Sequence, residues 1–143
     1  MTGLIIVTNN PRLQSGKYKN VEIEKKESLE DVLRRARDLV HQGAELITHP
    51  LAGSLKPWQN PYRSLGLKEG EKLDQNSLEI MENVLERHRT FARDGRRSRD
   101  QQEVNEDLKE EFSRIDLDFI GQILPEELAV KSNSDVRGEK IEA

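Results

Sequence analysis

Three local patterns predict an α/β fold: a continuous β-prone run at residues 4–7, an alternating run at residues 21–24, and a capped amphipathic helix over residues 28–43 that leads into a further apolar run. In that order they give a small three-stranded, mainly parallel sheet with one crossover helix. A C-terminal helical hairpin is expected to follow it.

Leu4-Ile5-Ile6-Val7 reads as a strand buried on both faces, ended by the turn-prone Thr8-Asn9-Asn10-Pro11. Val21-Glu22-Ile23-Glu24 alternates apolar and charged residues and suits a strand with one wet face. Ser28 is placed to cap a helix, with Asp31 at the reciprocal capping-box position. Leu29, Val32, Leu33, Ala36, Leu39 and Val40 follow at helical spacing, and Gly43 stands where a left-handed terminal residue belongs. Glu45-Leu46-Ile47-Thr48 is then a third strand. Two apolar stripes come later, Leu78, Met81, Leu85, His88 and Ala92, capped by Asn76 or Ser77, and Val104, Leu108, Phe112, Ile115, Phe119 and Ile123. Residues 1–70 are thus expected to form the α/β unit and 71–125 the hairpin, packed on the sheet or on a partner, with 126–143 a flexible polar tail.

The chain has 143 residues, no Cys, 35% charged residues and a net charge of −4, which divides into +3 for residues 1–70 and −7 for 71–143. Without Cys there are no disulfides, thiolate metal sites or Cys nucleophile. No run approaches the roughly 20 apolar residues of a membrane span, and the first residues lack a signal-peptide pattern. The expectation is a soluble, cytoplasmic protein without a membrane association. Six Arg between Arg87 and Arg99 read as a solvated helix end rather than a nucleic-acid surface, because Asp94 interrupts them and the C-terminal half is acidic.

The segment from Thr48 to Tyr62 draws attention. Three of the five prolines fall within twelve of its residues, and it holds the single Trp, Trp58, one of three His and one of two Tyr. If the first and third strands are parallel neighbours, this loop meets Asn9 and Asn10 beyond the carboxyl ends of the sheet, where open α/β sheets bind ligands. His49 can hydrogen-bond an anion or exchange a proton near neutral pH, and Pro50 restricts its backbone. Gly53, Ser54 and Lys56 offer amide, hydroxyl and ammonium groups to an anion, although their spacing is not that of a P-loop. Tyr62 can wall the site. The expected ligand-binding set is therefore Asn9, Asn10, His49, Gly53, Ser54, Lys56 and Tyr62. A hydrolase elbow is absent, and the three His share no metal-ligand spacing, so neither a metal nor a cofactor is expected.

Ile5-Ile6-Val7-Thr8-Asn9-Asn10-Pro11, Arg37-Asp38-Leu39-Val40-His41-Gln42-Gly43, and the stretch from Thr48 to Pro57 with Asn60-Pro61-Tyr62 resemble the GrdX-like family. These are small proteins encoded beside glycine, sarcosine and betaine reductase genes in amino-acid-fermenting anaerobes. The resemblance spans roughly residues 4–67, with a looser helical match to about 124. It implies an accessory or regulatory role in that reductive fermentation, with reductase components as partners, and it supplies no catalytic residues. The expected function is therefore binding of a small anionic ligand or a partner protein through the strand-end loops. A homodimer through helices 77–92 and 101–124 is a further expectation. Two alternatives stand beside this: a small enzyme acting on an amino-acid derivative or acyl phosphate with His49 as acid/base, and a purely structural scaffold.

Overall fold

The computed structural model describes residues 3–16, 18, 20–50, 60–93 and 105–124. Its order is β1 (Leu4–Thr8), β2 (Val21–Lys25), α1 (Leu29–His41), β3 (Glu45–Leu46), β4 (Ser64–Lys68), α2 (Gln75–Arg93) and α3 (Glu106–Ile120), with a 3₁₀ turn (Gly121–Ile123) after α3. The fold is α/β, with one four-stranded mixed sheet in the order β2-β1-β4-β3. Only β1 and β2 pair in parallel; β4 runs antiparallel to both β1 and β3. The expected three-stranded, mainly parallel sheet is corrected by the insertion of β4 between β1 and β3. That strand reads Ser-Leu-Gly-Leu-Lys and lacks the β-branched residues that mark a strand. Gly66 at its centre lies against the tip of the Ile123 side chain, which would have to move to admit a Cβ there.

Alternation along the strands divides the core. Ile5, Val7, Leu65 and Leu67 face α1 and α2, where they join Leu33, Val40, Met81 and Leu85. Ile6, Val21 and Ile23 face the other way, onto Leu13, Tyr18, Ile120 and Leu124. The two late helices therefore lie in the cores of opposite faces rather than forming the expected hairpin. α1 covers one face on its way from β2 to β3, as a crossover helix must. The six apolar positions read from its sequence are its buried residues, and the Ser28 hydroxyl accepts from the Asp31 N–H at 3.1 Å. Gly43 has φ +110° and backs onto the carbonyl of Gly70, a place closed to any side chain.

The other helix starts differ in detail. α2 begins at Gln75, and Asp74 caps it through the Ser77 N–H (2.9 Å) and hydroxyl (2.6 Å), two residues or more ahead of the expected cap. The Leu46 N–H at the sheet edge also donates to Ser77, at 2.9 Å, which closes part of β3's outer edge. α3 is rotated from its expected stripe: its buried residues are Ser113, Asp116 and Ile120, while Leu108 and Ile115 are 37% and 42% exposed. Polar partners on the sheet draw Ser113 and Asp116 inward, and this overrides the apolar pattern. Val104 and the expected tail lie outside the described residues. Among the described residues, no helix is long and apolar enough to cross a membrane.

Candidate functional site

β1 and β3 both run antiparallel to β4, so the ends of β1 and β3 and the start of β4 share one edge of the sheet. Three segments meet there: Thr8-Asn9-Asn10, Thr48-His49-Pro50, and the returning arm Asn60-Pro61-Tyr62-Arg63. The Asn9 side chain clamps that arm, its Nδ2 donating to the Pro61 carbonyl at 2.7 Å and its Oδ1 accepting the Arg63 N–H at 2.8 Å. From the other side, Arg63 Nη1 donates to the Pro50 carbonyl at 2.7 Å. Both feet of the Pro-rich loop are thereby tied to β1 and β4. Thr48 is fixed as well, since its hydroxyl accepts the Gly66 N–H at 3.1 Å.

Asn10 works on the opposite side of the edge. Its Nδ2 donates to the Ser113 carbonyl (2.8 Å) and to Asp116 Oδ2 (2.9 Å), and its Oδ1 accepts the Arg12 N–H at 3.0 Å. Ser64 Oγ also donates to Asp116 Oδ2, at 2.5 Å, and lies 2.7 Å from Thr8 Oγ1. With the Ser64 proton committed to the carboxylate, Thr8 must donate to Ser64. The Asn10 N–H then donates to Thr8 Oγ1 at 2.9 Å, completing a one-way chain that ends on Asp116. Lys25 Nζ braces the same turn by donating to the carbonyls of Asn10 (2.9 Å) and Leu13 (2.7 Å).

Two charges are buried in this arrangement, Arg63 at 4% and Asp116 at 5% exposure. Burial raises the Asp116 carboxyl above its ordinary range, while the Ser64 and Asn10 hydrogen bonds and the Arg63 charge pull it back. Burial lowers the Arg63 guanidinium, and the Asp116 charge opposes that shift. An Arg keeps its proton even so, and a fixed positive charge therefore stands at the foot of the loop. His49, next to Pro50 in the chain, is exposed. Tyr62 is 3% exposed, and burial raises its phenol pKa, with Lys109 lowering it and Glu106 raising it.

Of the expected site residues, the fold brings Asn9, Asn10, His49 and Tyr62 to one edge, although β1 and β3 are not neighbours. Gly53, Ser54, Lys56 and Trp58 lie outside the described residues. The side-chain amides of Asn9 and Asn10 are engaged within the chain. Arg63, Ser64 and Asp116 were not singled out by sequence reasoning. One signal was available: Ser113 and Asp116 share helical spacing with Ile120, which places polar groups on the face that the last of these buries.

A family model described as GrdX-like protein matches residues 5–125. The chain belongs to the GrdX-like family. No curated protein and no solved structure matches it. The family match covers the whole edge just described, including the Asn9 and Asn10 clamps, the loop with His49, and the Asp116 network of α3. The family's description names no reaction, so the chemistry of this edge has to be argued from its geometry.

Proposed function

We propose that this GrdX-like protein is a non-catalytic accessory component of the glycine/sarcosine/betaine reductase system, holding a small anionic ligand or a partner segment at the foot of its Pro-rich loop. One observation carries the reading: the buried Arg63 guanidinium donates to the carbonyl of Pro50, the residue that follows exposed His49 in the chain. A cation held in a largely desolvated position acts on nearby anionic groups more strongly than one in bulk water. The tied feet of the loop hold that charge in place, so little ordering is needed on binding. Membership of the GrdX-like family supports the association with the reductases.

Binding to purified reductase components, with the chain immobilised, tests the association. Saturable binding that weakens in His49→Ala is the expected result. No binding by the wild-type chain to any component would contradict it.

A further inference from the structure

A second concavity lies on the α3 side of the same edge. It is an open cleft of about 480 Å³ between Pro11 and Arg12, the Tyr62 ring and the first two turns of α3. Its lining carries both signs of charge: Arg12 and Lys109 against Glu106, Asp107 and Glu110. The contacts among these charges are long, Arg12 Nη2 to Glu110 Oε2 at 3.7 Å and Lys109 Nζ to Glu106 Oε2 at 3.5 Å. Glu110 Oε2 also accepts from Arg114 Nη2 at 3.2 Å, but both glutamates have well-exposed side chains, so all these pairs hold weakly and separate at little cost.

Tyr62 adds an independent sign of a ligand. The residue is almost wholly buried, lines the cleft, and its hydroxyl has no hydrogen-bond partner among the described residues. Buried polar groups are rarely left that way. The charges that its hydroxyl senses, Lys109 and Glu106, belong to the same cleft. Arg12 is held in place from behind, because its Nε donates to Ser113 Oγ at 2.8 Å.

We propose that this cleft binds a small amino-acid-like zwitterion, its carboxylate taken by Arg12, Lys109 and the Tyr62 hydroxyl and its ammonium by Glu106 and Glu110. The mixed lining selects that class. A polyanion meets three carboxylates, and a simple amine meets two cations, whereas a molecule carrying both charges a few ångströms apart satisfies both sets. The inference stands on the cleft alone and does not depend on the reductase association.

Amide chemical shifts of the labelled full chain, titrated with glycine, acetate, methylammonium and inorganic phosphate in turn, test it. Glycine is expected to give saturable shifts at residues 12, 62 and 106–113, at concentrations at least about tenfold lower than acetate or methylammonium needs. Tyr62→Phe keeps the ring and the fold while removing one hydrogen bond to a charged group, and is expected to weaken glycine about tenfold. Lys109→Gln is expected to weaken it similarly. Acetate or phosphate binding as tightly as glycine would overturn the proposal, as would unchanged glycine affinity in Tyr62→Phe or no saturable shift at all. Shifts confined to residues 48, 49 and 63 would also overturn it, while leaving the loop-foot reading in place.

Discussion

Asp116 accepts hydrogen bonds from Ser64 and Asn10 on one oxygen while buried beside the charge of Arg63, and its replacement separates charge from connectivity. Asp116→Ala leaves the buried Ser64 hydroxyl and one Asn10 Nδ2 hydrogen bond without their acceptor, and a loss of about 1–3 kcal/mol in chemical denaturation is expected. Asp116→Asn keeps an acceptor and should cost far less. The pH dependence has a definite sign. The folded pKa lies above the unfolded one, so this group's contribution is fully present below the ordinary aspartate pKa and is lost as pH rises through the folded value. Asp116→Asn should therefore flatten the fall in Tm along that limb, and a limb of unchanged slope would show that another group sets it. None of this could be read from residue types in the sequence. A buried carboxylate looks like any solvated helix Asp until its partners, 52 and 106 positions away, are known.

Among the elements, α1 is the most tightly specified, and Gly43 sets its end. With φ +110° and the Gly70 carbonyl behind it, Gly43→Ala combines backbone strain with a clash against main chain. A loss of about 2–3 kcal/mol by thermal or urea unfolding is expected, and a change under about 0.5 kcal/mol would refute the role given to it. The packing of α2 against α1 has a pH signature of its own. Burial holds His88 below the ordinary histidine pKa; Glu30 raises it, and Arg34, Arg63 and Arg89 lower it further. The stability that depends on neutral His88 is present above the unfolded pKa and is lost as pH falls below it. His88→Gln should reduce the drop in Tm between about pH 7 and 5; a drop as steep as the wild type's would exclude His88 as its source. α1 was legible because every level of its sequence agreed: cap, apolar spacing and terminal Gly. β4 and the orientation of α3 were not, because a glycine packed against the tip of Ile123 and a polar network reaching to Asn10 are tertiary relations that local pattern does not carry.

For the whole molecule, the sheet's two cores and its one crowded edge assign different tasks to different faces. α1 and α2 close one core, α3 closes the other through a largely polar seam, and the loop with His49 is fastened at both feet between them. The sequence reading brought the Thr8-Asn9-Asn10 and Thr48-His49 segments together through a pairing of β1 with β3 that does not exist; they share one edge because β1 and β3 point the same way across β4. Arg63 carries no such mark in the sequence, since only the fold turns a charged residue after a proline-rich loop into a buried cation. The central claim is that this cation makes the foot of the loop an anion site. A thermal-shift panel of inorganic phosphate, acetyl phosphate, glycine, sarcosine and betaine, run beside His49→Ala, tests it most directly. At about 100 times its Kd a ligand adds about 2.7 kcal/mol, a rise in Tm of roughly 5–10 °C for a chain of this size. The account predicts such a rise for at least one anion, reduced in His49→Ala. A panel in which no anion shifts the wild-type protein would contradict it.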